Sequence, residues 1–327
     1  MKKISMLVLL ILNIACTLKE NKKEIEALQK EAQGVFVPLS DVSKIIDLEK
    51  NKNLIALGEK LYFEKKLSFN DTISCNSCHK LDQFGVDNEA TSLGHSGLRG
   101  DRNSPTVYNS AIHFVQFWDG RAQDLAEQAI GPILNPIEHG LKNEKEALKK
   151  IAIPEYMELF RQAFNDKKAF TYKNIGVAIA AFEKTLLTPS RFDDFLKGDA
   201  KALNAQERQG LKTFMDKGCI SCHSGEGVGG NSFQKIGMIN SYPTKDEGRF
   251  KITKNEEDKF FFKVPSLRNV VHTAPYFHDG SVQTLEAAIR IMGYHQLDLK
   301  LTDAEIADIK VFLGSLSGKE GTFYSKK

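Results

Sequence analysis

The sequence predicts a mainly α-helical protein of two similar domains packed together, with few or no strands. Three observations carry that expectation. "SPTVYNSAIHFVQFWDGRAQDL" (104–125) lines up with "VPSLRNVVHTAPYFHDGSVQTL" (264–285) at a constant offset of 160 residues, so the chain is a degenerate internal repeat. In that register Pro105 falls on Pro265, Asn109 on Asn269, Phe117 on Phe277 and Leu125 on Leu285, and the two Asp-Gly pairs coincide. Several stretches carry helical periodicity, among them "NLIALGEKLYF" (53–63) and "LNAQERQGLKTFMDKG" (203–218), the second with a polar start and a glycine stop. No segment shows sustained two-residue alternation bounded by turn signals.

Taken in order, the chain opens with "MKKISMLVLLILNIAC": two lysines, an apolar run from Ile4 to Leu12, then small residues. That run is too short to span a bilayer comfortably and reads as an export signal over residues 1–15. Cys16 stands where lipoprotein signals place the cysteine that becomes lipidated, although Asn13 occupies a position where leucine is usual. Plain cleavage after Ala15 is also handicapped by Asn13, so lipidation of Cys16 is the favoured of two open alternatives. Residues 16–40 are assigned to a linker, 41–195 to an N-terminal domain and 196–327 to a C-terminal domain. A helix over 172–188, apolar enough to be buried, is expected to pack the two domains together. Hydrophobic content of 41% with 27% charged residues is that of a soluble globular protein. A formal charge of +3 over 327 residues makes no electrostatic case for nucleic acid.

The four remaining cysteines form two pairs, each followed at once by a histidine: "CNSCH" (75–79) and "CISCH" (219–223). In C-x-x-C-H two thiols one helical turn apart can add to the vinyl groups of one porphyrin, and the next residue then sits under the iron. The motifs therefore predict two covalently bound haem c groups, on Cys75, Cys78 and His79 and on Cys219, Cys222 and His223. A four-cysteine zinc site would have to close a loop of some 140 residues, far outside zinc-ribbon spacing. A thioredoxin-like pair would need a βαβ context, which neither motif has. Each half thus reads as a small all-α, cytochrome c-like haem domain. The haem motifs are offset by only 144 residues, so the second half carries 16 extra, placed in the polar, Gly-rich stretch from Gly225 to Lys259.

Within the repeat, Trp118 falls opposite His278, and both are expected to face the space between the haems. Further on, "TLEAAIRIMG" (284–293) puts Leu285, Ala288, Ile289 and Met292 on one helical stripe, with Gly293 as the stop. Beside a haem lacking another soft ligand, Met292 becomes the sixth ligand, and thioether ligation raises the potential of a c-type haem. His295 lies past that stop, off the stripe.

From about residue 40 to the end, the chain resembles the bacterial dihaem cytochrome c peroxidases. The resemblance rests on "CNSCHKL", "TSLGHSG", "RNSPTVYNSA", "FVQFWDGRAQDLAEQAIGPILNPIEHG", "CISCHSG", "VPSLRNV", "TAPYFHDGS" and "IRIMG", in family order. It implies that the His79 haem reduces peroxide and that His95 caps this iron at rest, leaving on reductive activation. It implies that Glu138 and Gln128 handle protons and orient hydrogen peroxide. It implies that Asn103, with the carbonyls of Thr273 and Pro275, binds calcium, and that electrons pass near Trp118. Met292 matches the family's methionine ligand. A small cytochrome c or a copper protein is the implied donor, a homodimer the implied assembly and the periplasm the implied compartment. Two other readings stay in view. One is a related dihaem oxidase acting on a protein or small organic substrate, which would carry tyrosine at position 292. The other is a non-catalytic dihaem electron carrier, which would need neither an acid–base pair nor a mobile His95.

Overall fold

The computed structural model describes residues 22–318; the export segment 1–15 and Cys16 lie outside the described residues. In chain order, α1 (22–33) and α2 (Val42–Ile45) lead to α3 (Lys52–Tyr62), the short α4 (Cys75–Cys78), α5 (Leu125–Leu134), α6 (Glu144–Ile151), α7 (Pro154–Phe164) and α8 (Tyr172–Glu183). The second half holds α9 (Arg191–Leu196), α10 (Ala205–Asp216), α11 (Phe250–Thr253), α12 (Leu285–Leu297) and α13 (Asp303–Gly314). Helices dominate, as expected. The one sheet among the described residues is an antiparallel pair, β1 (Phe233–Lys235) with β2 (Phe261–Lys263), in the inserted stretch and just after it. Helix starts follow local side-chain chemistry. Capping boxes of Asn204 with Glu207 and of Thr302 with Glu305 open α10 and α13, while Asp124 and Thr171 cap α5 and α8.

The duplication is visible in the backbone. Asn109 and Asn269 share a left-handed conformation, at φ 61 and ψ 11 and at φ 61 and ψ 9. Phe117 and Phe277 also have positive φ, 65 and 71, a conformation that a bulky side chain adopts only where the surroundings hold it. Bridges Gln116–Ala122 and Tyr276–Val282 repeat at the same offset of 160.

A second correspondence was not visible in the sequence. The helices α3 and α8 cross in the first core, and α10 and α13 cross in the second. At the first crossing Gly58 lies against the backbone of Ala178, so that a Cβ would collide with its carbonyl; at the second, Gly210 lies in the same way on Asp308. The rings of Tyr62 and Phe182 meet at 5.3 Å, and those of Phe214 and Phe312 at 5.3 Å. So α8 is the closing helix of the first domain, packed on α3 and α5. It is not the inter-domain packer that its apolar composition predicted. That composition instead reflects burial between two helices of its own core.

Two further assignments change. The expected linker 16–40 contains α1, and the chain just after it buries Phe36 edge-on against Phe192 in the second core. Phe192 and Phe195 of α9 belong to that second core too, so the first core ends near Leu186 rather than at 195. An apolar residue at the end of a polar segment cannot announce from sequence which core will bury it.

One hydroxyl is shared by equivalent residues of both halves. Thr188 Oγ1 accepts from Asn109 Nδ2 at 2.7 Å and from Asn269 Nδ2 at 2.9 Å, and all three residues are buried. Each asparagine oxygen in turn accepts a backbone N–H, from Thr188 and from Gly318. Ser190 and Gly318 then pair as a short antiparallel bridge. Thr188→Val removes one acceptor shared by two buried donors. It is expected to cost the holoprotein roughly 1–3 kcal/mol in denaturant unfolding, with Thr188→Ser close to wild type. Equal stability of all three proteins would show that the hydroxyl does not join the halves.

Candidate active site

The first haem motif is a single turn, α4, opened by a capping box of Ser74 with Ser77. No disulfide joins the four motif cysteines. The turn presents His79, whose backbone N–H donates to Cys75 O at 3.0 Å. His79 Nδ1 lies 3.0 Å from Pro105 O. A carbonyl can only accept, so Nδ1 carries the proton and Nε2 keeps its lone pair for a metal. Burial lowers the His79 pKa and pushes His223 down to about 4. Both imidazoles are thus held neutral, the form that ligates iron. These residues fit covalent haem.

In the second half Cys219, Cys222, His223 and Met292 line one cavity, walled by apolar side chains such as Phe214, Leu285, Ile289 and Leu313. An imidazole and a thioether sharing an apolar chamber are the donor set expected of the second haem. The helix that carries Met292 does not stop at Gly293. It runs to Leu297, and its end is Asp298, left-handed at φ 55, whose N–H reaches back to the carbonyls of Gly293 and Tyr294. Gly293 is buried where a Cβ would press on Leu301, so it serves close packing rather than termination. His295 is therefore inside the helix. Its Nδ1 meets Asn240 O at 2.8 Å, and its own carbonyl accepts from Ile239 and Asn240, which ties the inserted stretch to α12.

The same cavity is lined by Trp118, His278, Asn103, Thr273 and Pro275. Trp118 Nε1 donates to Asn103 O at 2.9 Å, and buried His278 stacks on Phe262 at 4.3 Å with Nε2 3.0 Å from Thr244 Oγ1. Asn103 turns its amide N–H₂ toward the carbonyls of Glu89 and Ala90. Neutral amide and carbonyl oxygens suit a hard cation, and no cluster of three or more His, Cys, Asp or Glu among the described residues offers a metal another site.

A second cavity, which shares Phe117 with the first, holds Glu138 with Arg121, Ile130 and Asn135. Burial raises the Glu138 pKa, partly offset by Arg121 and by the hydrogen bond from Asn135 Nδ2 at 3.0 Å. Arg121 stacks over the Phe117 ring at 3.4 Å and pairs with Asp119. Gln128, half-buried on α5, does not line this cavity. His95 sits beside it: its backbone N–H donates to Glu138 O at 2.9 Å, and its Nε2 lies 3.1 Å from Pro136 O. A nitrogen donating to a carbonyl cannot at the same time cap an iron. The structure therefore ties His95 to Glu138 through the backbone, while Gln128 stays off the cavity wall although Gly131 and Pro132, three and four positions on along α5, lie on it.

The family model described as di-haem cytochrome c peroxidase matches residues 52–201. Over 305 residues the chain is 43% identical to a cytochrome c551 peroxidase of Pseudomonas aeruginosa, covering 91% of this chain and 88% of that relative. The chain belongs to the dihaem cytochrome c peroxidase family. Within it, a cytochrome c551 peroxidase of Nitrosomonas europaea is 46% identical over 276 residues, 84% of this chain and 82% of the relative. The crystal structure of a MauG-like protein associated with microbial copper homeostasis superposes with a TM-score of 0.73 at 30% identity, over 86% of this chain and 93% of the other.

The structure brings forward residues that motif reading passed over. Arg121 and Asn135 both touch the surroundings of Glu138 and stand within the "FVQFWDGRAQDLAEQAIGPILNPIEHG" stretch, but nothing in their spacing marks a role. Glu183 is fully buried at the end of α8, and burial pushes its carboxyl up to about 8. Arg102 joins the halves by bonding Asp119 at 2.6 Å and Asp246 at 2.6 Å. Burial would raise the Asp246 carboxyl, yet Arg102 holds it well below the usual range. A pairing across 144 residues leaves no local signal.

Proposed function

We propose that this dihaem cytochrome c peroxidase reduces hydrogen peroxide to water, H₂O₂ + 2e⁻ + 2H⁺ → 2H₂O, in the periplasm, with electrons from a small cytochrome c or copper protein. Bound haem c supplies the iron chemistry and the electron path. The observation that carries the reading is Glu138, a carboxyl whose pKa burial raises, on the wall of a cavity and near enough to Cys78 of the first haem motif for its charge to raise that thiol's pKa. Splitting H–O–O–H requires a group that takes the proton of one oxygen and returns it to the departing one, and a partly desolvated carboxylate does both. Asn135 orients the Glu138 carboxyl, Arg121 supplies positive charge against Phe117, and Gln128 on α5 is the orienting amide of the same reading.

His95 would gate the site: it would hold the haem iron at rest and, on release, would take the seat between Pro136 O and Gly140. Its backbone bond to Glu138 O means that gate and acid–base group move on one segment. On the donor side Met292 and His223 would hold the haem that accepts electrons, and Trp118, on the wall of the same cavity, is the residue proposed to pass them toward the first haem. Calcium bound by Asn103 with the carbonyls of Thr273 and Pro275 braces that junction. Lipid attachment at Cys16 and a homodimeric assembly complete the reading.

Glu138→Gln is expected to lower kcat/KM for peroxide by about 10²–10⁴ while leaving haem content and both midpoint potentials in place. In the wild type, activity falls as pH drops through the raised Glu138 pKa, because the base becomes protonated; the variant loses that acid limb. An unchanged rate, or an acid limb that survives, would assign the proton transfer to another group. Gly140 has φ +77, and a Cβ there would overlap the His95 ring. Gly140→Ala should therefore drive His95 back to the iron, giving a low-spin spectrum and weaker cyanide binding to the half-reduced enzyme. Adding His95→Gly should restore cyanide binding. Wild-type cyanide binding by Gly140→Ala alone would refute the seat.

A further inference from the structure

We propose that Lys263 and His113 form a carboxylate-binding site between the two halves, and that it takes a propionate of the C-terminal haem. Lys263 lies on β2 with 5% of its surface exposed, and among the described residues no carboxylate comes within ion-pair distance of it. Its Nζ meets His113 Nδ1 at 3.1 Å. An ammonium can only donate, so His113 accepts at Nδ1 and carries its proton on Nε2. That Nε2 is buried with no partner. The pair therefore offers N–H donors and no acceptor, and both residues line the apolar cavity that contains Cys219, Cys222, His223 and Met292.

An unpaired buried ammonium is costly, and protein interiors supply a counter-charge. The haem attached in this cavity brings two carboxylates of its own. The other lysine on the cavity wall, Lys217, is already paired with Glu305 at 2.5 Å. Burial alone pushes the Lys263 ammonium down to about 8 and, with Lys263 beside it, His113 well below its ordinary value. A carboxylate on the pair reverses both displacements.

The repeat gives the site a counterpart. At the offset of 160, Lys263 falls on Asn103, and Thr273 falls on His113. The backbone obeys the same symmetry: Lys263 N–H donates to Trp118 O at 2.7 Å, and Asn103 N–H donates to His278 O at 2.8 Å. Each pair takes one residue from either half. The position where Asn103 and Thr273 are proposed to hold a free cation is thus matched, on the other side of the junction, by a tethered one. This inference needs covalent haem in the C-terminal half but not peroxidase turnover.

The test is a redox titration of the purified holoenzyme, with haem content measured for each variant. Lys263→Met leaves a propionate uncompensated, which favours ferric iron, so the upper midpoint potential should fall. Lys263→Arg should stay near wild type, and Lys217→Gln, the same charge change at a paired lysine, should not move it. Loss of haem from Lys263→Met but not from Lys263→Arg would equally support the site. A fully loaded Lys263→Met with an unchanged upper potential would overturn it, as would a shift of the same size in Lys217→Gln. The potential is read without peroxide, so failure of the peroxidase reading leaves this test intact.

Discussion

The junction is pinned at Thr188, whose hydroxyl is shared by two buried asparagines, one from each copy of the repeat. Asn109 and Asn269 adopt the same left-handed turn on either side of that oxygen. Fixing that point fixes the segments that follow each asparagine, 110–120 and 270–280. Those segments deliver Trp118, His113, Thr273, Pro275 and His278 to one cavity wall. Arg102, bonded to an aspartate of each half, holds the far edge of the same junction.

Around this symmetric frame the two halves have diverged in chemistry. The second encloses its haem site with Met292 on a helix that continues a full turn past Gly293, anchored by His295 and Asp298. A ligand on a well-anchored helix suits a haem that only exchanges electrons. The first half places His95 on a loop held by a carbonyl and a glycine, beside a carboxyl kept protonatable by burial. A ligand that can leave and an acid–base group at hand suit a haem that must admit a substrate. On the proposed reading, the same duplication yields one closed site and one that opens.

Much of this was legible in the chain because it is encoded locally. C-x-x-C-H is a contiguous signal, and the 104–125 and 264–285 segments keep enough identities to be aligned by eye. The helix crossing was not legible, because it survives only as Gly58 with Gly210 and as Tyr62 with Phe214, at a different offset from the main repeat. For the same reason α8 was given the wrong neighbour: an apolar helix shows that it is buried and not against what. Gly293 read as a stop because glycine commonly ends helices, whereas here contact with Leu301 outweighs its poor helix propensity. Lys263 and His113 lie 150 residues apart, and only the fold brings them into contact.

The central claim is a division of labour, with electrons received at the Met292 haem and peroxide met at the His79 haem. Its most direct test is a redox titration of Met292→His followed by optical spectra. The account predicts loss of the methionine-to-iron absorption band and a fall of the upper potential by on the order of 100 mV or more, set by exchange of the axial ligand. An upper potential and band both unchanged would place the ligand elsewhere and contradict the account.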